Sequence, residues 1–202
     1  MTRAAPLVLA LNGSPAAGGS VSRLLDALGE GVREGGAAFE HVRCFELHVR
    51  DCIACGPDAT PGWCIFHDDM DRVYDAIVRA HAIVVGAPVW FDALPAPLKR
   101  VVDRCNCMTP LVTLPDGTQD LVPKLARTRR GVFVVAGSAE HPYDMAERSA
   151  RGWMKWVGAK WEETIAWRHT DFGHGSVPDD LLARARATGL RLAQAPPLVP
   201  AS

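Results

Sequence analysis

Three stretches hold most of the residues of this chain that could do chemistry. The first is "NGSPAAGGS", Asn12 to Ser20, which follows an apolar run and precedes apolar residues at helical spacing. Glycines let backbone amides approach an anion closely, and a helix N-terminus supplies unpaired N–H groups and partial positive charge. Ser14, Ser20 and Ser22 add hydroxyls. The stretch has neither the lysine of a nucleoside-triphosphate loop nor the G-x-G-x-x-G of a dinucleotide fold. That chemistry suits a terminal phosphate monoester held without magnesium, and so a resident cofactor. On these residues alone, a glycine turn that merely caps a helix is an equal alternative.

The second stretch is "GAPVWFDALPAPLK", Gly86 to Lys99, where Trp90 and Phe91 come directly after an apolar run. An isolated aromatic pair is more simply core or interface; opposite a phosphate loop, the same pair flanks a planar heterocycle. "GSAEHP", Gly137 to Pro142, follows another apolar run and offers a third wall, with His141 close to it. The third stretch is "CIACGPDATPGWC". With His67, Cys52, Cys55 and Cys64 form C-x2-C-x8-C-x2-H, an acceptable zinc spacing. A cubane cluster takes four thiolates, and this stretch supplies three. The fourth would have to come from Cys105, Cys107 or another chain. The reading adopted is unligated thiols and no metal. Cys44 reads as a small buried residue, and Arg127, Arg129 and Arg130 as a solvated charge run whose alternative role is to meet a phosphate. Trp153 and Trp156 read as packing or a subunit contact, and Trp161 and Trp167 as core.

The elements that position these residues alternate along the chain. Apolar patterning predicts strands over Leu7 to Leu11, Phe39 to Leu47, Ala82 to Pro88, Gly131 to Gly137 and Lys160 to Trp167. Helices are predicted from Ser20 to about Arg33, Asp68 (as N-cap) to Ala80, Pro95 to about Asp103, about His141 to Val157, and about Asp179 to Ala193. "AIVVGAP" and "GVFVVAG" lack polar alternation, as central parallel strands covered on both faces should. Such alternation predicts an α/β doubly wound sheet of five parallel strands in the order 2-1-3-4-5. Ligands then bind where the order reverses, between the first and third strands. Asn106 to Arg130 shows turn signals and no periodicity, and a long irregular stretch is more often functional than idle.

Composition bounds the rest. The 202 residues suit one domain over 1–202 with a frayed tail from about 194, and 48% hydrophobic with 22% charged residues is an ordinary globular balance. A formal net charge of −1 gives no general pull toward nucleic acid or an anionic membrane. No apolar stretch approaches a membrane span, and Met1 to Pro6 leaves no room for a signal peptide, so the expected location is cytoplasmic. In that compartment the six cysteines are expected to be thiols, redox centres or ligands.

The sequence resembles the NAD(P)H-dependent FMN reductases of the flavodoxin-like superfamily, through "GSPAAGGSVS", "GAPVWF", "PLKR" and "VVDRC" in that order, with cysteines and "DDM" between them. The likeness extends from about residue 7 to residue 193. It implies a flavodoxin-like three-layer sandwich that holds FMN. By the same resemblance Ser14, Ser20, Val21 and Ser22 would carry the phosphate, Val21 standing where threonine is frequent. Pro88, Val89, Trp90 and Phe91 would line the isoalloxazine, with Gly137 and Ser138 at its pyrimidine edge. The implied activity is electron transfer from NADPH or NADH through FMN to a flavin, quinone or other small-molecule acceptor, in a homodimer or homotetramer, with no catalytic acid or base named. The cysteines also resemble the compact motif of iron-sulfur flavoproteins, with Asp58 standing where a middle cysteine would give four ligands. That likeness keeps two alternatives open: an electron-transfer flavoprotein serving a protein partner, and a redox-sensing module.

Overall fold

Unbroken burial on the central strands, with side chains turned alternately to two cores, decides the layering. The protein is described by a computed structural model over residues 5–55, 63–126, 128–138, 142–169 and 175–194. In chain order the elements are β1 (Leu7–Asn12), α1 (Ser20–Glu34), β2 (Ala38–Arg43), α2 (Met70–Arg79), β3 (Ala82–Pro88), α3 (Ala96–Arg104), β4 (Leu111–Thr113), β5 (Gln119–Leu121), β6 (Arg129–Ser138), α4 (Asp144–Trp156), β7 (Ala159–His169) and α5 (Asp179–Gln194). Five of the strands form one parallel sheet in the order β2-β1-β3-β6-β7. Val8, Ala10, Val84, Val132 and Val134 face α1 and α5. Leu9, Leu11, Ile83, Val85, Phe133 and Val135 face α2, α3 and α4. Neighbouring residues on each strand thus serve opposite cores, which is why these runs carry no polar positions.

The expected doubly wound sheet and its order are found, with three local differences. The second strand ends at Arg43 rather than Leu47, because its only partner, β1, ends at Asn12 opposite it; Cys44–Glu46 close into a 3₁₀ turn instead. The segment from Asn106 to Arg130 is not irregular throughout: β4 and β5 pair antiparallel as a small hairpin, too short to show periodicity. Helix α2 begins at Met70, and the Asp68 carboxylate accepts the Met70 amide at 3.0 Å. The expected helix start at His141 lies outside the described residues, as do Arg127 and the tail from 195; described helix begins at Asp144.

Arg129 and Arg130 correct the reading of a solvated run. Arg129 is buried, and its guanidinium donates to the carbonyls of Ile77 (2.9 Å), Val78 (3.0 Å) and Ala126 (3.0 Å). Ile77 and Val78 lie in the last turn of α2, where carbonyls lack helical partners and a cation is favoured. Burial lowers the Arg129 pKa from its ordinary value. Arg130 pairs with Glu162 at 2.6 Å. Both residues open β6, roughly 30 Å along the strand from Ser138 at about 3.3 Å per residue, so neither reaches the sheet edge where a ligand binds.

Candidate functional site

The carboxyl ends of β1, β3 and β6 meet at the point where strand order reverses. Gly13 N–H donates to the Gly86 carbonyl at 2.7 Å, which ties the end of β1 to that of β3. A Cβ on Gly13 would lie 2.8 Å from Leu98 Cδ2, so the chain can make this turn against α3 only without a side chain.

The loop after β1 is organised by Asn12, which is fully buried. Its Oδ1 accepts the Ser14 amide at 2.8 Å, and its Nδ2 donates to Ser22 Oγ at 3.0 Å and meets His41 Nε2 at 3.1 Å. Ser22 Oγ in turn donates to the Ala16 carbonyl at 2.7 Å. Every hydrogen-bonding atom of the Asn12 side chain is thus used, and β1, the loop, α1 and β2 are joined through it. The network also fixes what the loop presents. The Ser22 hydroxyl is committed inward, and the Val21 side chain is buried against the space above Gly86, 3.0 Å from where a Cβ would stand there. Ser14 Oγ exchanges bonds with Ala16 at 3.3 and 3.4 Å, and Ser20 Oγ donates to Ser176 at 3.4 Å. Arg23 N–H makes the first bond of α1, to Gly19 at 2.9 Å, leaving the amides of Ser20, Val21 and Ser22 at the open helix end. The residues there have no acidic neighbour in the first turn, and a Cβ on Gly18 would meet nothing within 4 Å. A phosphate fits this cradle through amides and the helix dipole more than through hydroxyls.

His41 imposes a pH dependence on the cradle. Burial lowers its pKa from 6.5, with the nearby Asp26 carboxylate, 3.6 Å from Nδ1, acting in the opposite direction. Neutral His41 directs Nδ1–H to Asp26 and leaves Nε2 to accept from Asn12. Protonation sets donor against donor, so the loop is intact above the ordinary histidine pKa and loosens as pH falls through the lowered one. Losing that bond is worth about 1.4 kcal/mol, or about tenfold in FMN affinity. Because a phosphate monoester itself titrates near pH 6, the expected result is an acid-side loss of FMN affinity that is steeper in the wild type than in His41→Gln, measured by fluorescence titration. Parallel curves for the two proteins would remove His41 from this role.

The loop after β3 forms a tight turn: Trp90 and Ala93 exchange bonds of 3.2 and 3.0 Å while Phe91 (φ 51°) and Asp92 (φ 62°) take the left-handed region. For an aromatic residue that conformation costs on the order of 1–2 kcal/mol. Phe91 stands fully exposed at the tip, and Trp90 is 44% exposed with Phe45 edge-on at 5.9 Å. Val89 N–H donates to Ala136 at 3.1 Å, joining this loop to the end of β6. A Cβ on Gly137 would lie 3.3 Å from Val89 Cγ2, so residue 137 leaves a smooth surface between the two strand ends. Pro88 pairs with Ala136, and Ser138 is exposed at the end of β6. Ser14, Ser20, Val21, Ser22, Pro88, Val89, Trp90, Phe91, Gly137 and Ser138 therefore all lie at three adjacent strand ends. Ala139, Glu140 and His141 lie outside the described residues.

The cysteines separate into two kinds. Cys44 and Cys105 are buried, and burial pushes each thiol up to about 12. Cys52, Cys55, Cys64 and Cys107 line one cavity of about 190 Å³ together with Arg104 and Lys124. His67 is not among them: its side chain is 84% exposed and pairs with Asp71 at 3.3 Å. That placement corrects the spacing-based zinc set. Among the described residues no three His, Cys, Asp or Glu side chains converge closely enough to clasp a metal ion as they stand. Asp58 lies outside the described residues.

Sequence reasoning missed Asn12 and His41 as site residues. Asn12 differs from an ordinary strand-end polar residue only through its partners. His41 lies in the second strand, far from any motif, and reaches the loop solely because β2 pairs with β1.

A parallel sheet of this order, wound with helices on both faces, is the flavodoxin-like α/β fold. The chain belongs to the NADPH-dependent FMN reductase family, whose sequence model matches residues 6–164. It is accordingly an FMN-binding oxidoreductase. The chain is 28% identical over 185 residues to an iron-sulfur flavoprotein of Archaeoglobus fulgidus, covering 91% of this chain and 77% of that protein. It is 33% identical over 97 residues to an iron-sulfur flavoprotein of Methanosarcina thermophila, covering 48% of this chain and 51% of that one. Among solved structures, the NAD(P)H:quinone oxidoreductase from Methanothermobacter marburgensis superposes with a TM-score of 0.63 at 21% identity, covering 94% of this chain and all of that one. A flavone reductase gives 0.64 at 18% identity, over 93% of this chain and 62% of its own. At such identities these superpositions establish the fold. Among the described residues no helix is long and apolar enough to cross a membrane.

Proposed function

We propose that the protein transfers electrons from NADPH or NADH, through FMN, to a small-molecule acceptor such as a free flavin or a quinone. The observation that carries this reading is the convergence, at one sheet edge, of an amide cradle without lysine and an aromatic turn held in strained backbone. FMN, when bound, supplies two-electron exchange between a nicotinamide and the acceptor. The chain's part is binding and orientation. The amides of Ser20, Val21 and Ser22 hold the phosphate, with Ser14 and Asn12 fixing the loop behind them. Pro88, Val89 and Gly137 give a smooth wall for the ring, Trp90 and Phe91 flank it, and Ser138 borders its edge. No side chain at these strand ends is assigned a proton-transfer role.

The exposed aromatic turn favours a homodimer or homotetramer in which a second copy covers Phe91. The six unpaired cysteines support a cytoplasmic location. The burial of Arg129 and the pairing of Arg130 with Glu162 remove both as ligands for the 2′-phosphate that distinguishes NADPH from NADH. With FMN-loaded protein and no oxygen, the expected result is bleaching of the flavin absorbance by one of the two nucleotides and turnover on adding a quinone or free flavin. Bleaching by neither nucleotide, with ready reduction by a chemical reductant, would instead support the second reading: an electron carrier for a protein partner, which the thiol-lined cavity favours.

A further inference from the structure

Arg104 holds two thiols in opposite ways. Its side chain is 1% exposed and is anchored through Nη1, which donates to the Asp68 carboxylate at 2.6 Å and the Arg50 carbonyl at 2.9 Å. Its Nη2 donates to Cys64 Sγ at 3.3 Å, whereas its backbone carbonyl accepts from Cys107 Sγ at 3.3 Å and from Tyr74 Oη at 2.7 Å. The sulfur before α2 therefore accepts from a cation, and the sulfur after α3 donates its own S–H to a carbonyl. Burial holds the Cys107 thiol above its ordinary pKa, and the nearby Cys64 sulfur acts in the same direction, against the Tyr74 hydroxyl. A cation beside a sulfur steadies the negative charge it carries while attacking an electrophile, and a neighbour kept as a thiol is available to resolve the product.

Both thiols line the cavity of about 190 Å³, beside the apolar side chains of Trp63, Leu111 and Leu121. Arg104 Nε is buried and finds no acceptor among the described residues, so the guanidinium keeps one donor unspent next to Cys64. The space suits a small hydroperoxide and is too narrow for the disulfide of another folded protein. Cys52 and Cys55 line the same cavity, but among the described residues no hydrogen bond ties either of them to Arg104. The described side chains do not converge to hold a metal ion, so the chemistry this arrangement supports is that of the thiols themselves.

We propose that Cys64 and Cys107 form a redox dithiol that reduces small hydroperoxides, Cys64 as the attacking thiol and Cys107 as the resolving one. Cys64 Sγ attacks the terminal peroxide oxygen: an S–O bond forms, the O–O bond breaks, and an alcohol or water leaves with the Cys64 proton. Cys107 Sγ then attacks Cys64 Sγ: the S–S bond forms, the S–O bond breaks, and the hydroxyl leaves as water with the Cys107 proton. The two thiols together lose two electrons, the peroxide gains two, and a small dithiol such as dithiothreitol restores the pair.

The full chain, with FMN bound and oxidised so that only thiols consume the oxidant, is reduced, freed of reductant without oxygen and treated with an equivalent of hydrogen peroxide. The expected result is loss of two of the six free thiols, a Cys64–Cys107 disulfide in the peptide mass spectrum after alkylation, and full recovery with dithiothreitol. Cys64→Ser should consume peroxide at least about tenfold more slowly. Cys107→Ser should stop at a Cys64 sulfenic acid that dimedone traps, and Cys55→Ser should behave as wild type. A bridge confined to Cys52, Cys55 and Cys64, or an undiminished rate in Cys64→Ser, would overturn the proposal. So would iron or zinc on the purified chain that shields these thiols from alkylation until a chelator removes it. Should a variant fail to fold, peroxide treatment of wild type with dimedone present decides: the adduct belongs on Cys64, and an adduct confined to other cysteines sinks the assignment. FMN content is read on the same samples, so failure here leaves the flavin assignment standing.

Discussion

Alanine in place of Gly31 is expected to lower the thermal midpoint by roughly 6–12 °C. Gly31 faces α5, and a Cβ there would overlap the Arg186 carbonyl oxygen, with the Arg186 carbonyl carbon at 2.8 Å and Leu190 N at 2.9 Å. The contact is reciprocal, because a Cβ on Gly189 would overlap the Leu28 carbonyl oxygen and approach Val32 N at 3.0 Å. Backbone lies against backbone here, so no side-chain rotation relieves the clash and the helices must separate. Overpacking of this kind costs about 3 kcal/mol, and a domain of this size loses about 2–4 °C per kcal/mol. Gly189→Ala should cost a similar amount, and the double variant less than the sum, since the first substitution already parts the helices. Gly152→Ala in α4 is the control of opposite sign: nothing lies within 4 Å of its Cβ position, and alanine there should stabilise by about 0.5–1 kcal/mol. Thermal unfolding followed by circular dichroism checks all four proteins. An unchanged midpoint for Gly31→Ala would mean that α1 and α5 do not pack this closely.

Asn12→Ala is expected to weaken FMN binding by about 10–100-fold while leaving the fold intact. The substitution leaves the Ser14 amide and Ser22 hydroxyl without their buried partner and frees His41. A lost partner of this kind costs about 1–3 kcal/mol, which converts to that range of affinity because the loop must be reordered around each bound phosphate. Asn12→Asp is the sharper variant. It still accepts from Ser14 but cannot donate to Ser22, and it places a carboxylate behind the cradle, so its FMN affinity should fall further than that of the alanine variant. Fluorescence titration of the apoprotein measures both. Wild-type affinity in Asn12→Ala would show that the amides keep their arrangement without the asparagine.

The architecture was legible in the sequence because its signals are local and repeated. Unbroken apolar runs at Ala82 to Pro88 and Gly131 to Gly137 mark central strands, and the helices between them carry one apolar stripe each. Gly29 and Gly31 inside the first helix look like propensity errors in the sequence. The structure explains them by what a Cβ would meet: the Phe39 ring at Gly29 and the Arg186 backbone at Gly31. The glycine-rich loop after β1 and the aromatic turn after β3 were legible for the same local reason, since each directly follows a strand. What stayed hidden depends on pairing between distant segments. His41 joins the site only through the β1–β2 register, and Cys107 joins the other cysteines only through Arg104. Arg129 reads as a surface charge until its guanidinium is seen capping the carbonyls of α2.

The central claim is that the loop after β1 grips a phosphate monoester. Its most direct test is equilibrium titration of the apoprotein with FMN and with riboflavin, which differ only in that group. Charge-assisted bonds to a helix N-terminus should make FMN about a hundredfold tighter than riboflavin. Equal affinities for the two flavins would contradict the assignment of the Ser14 to Ser22 loop as the phosphate cradle.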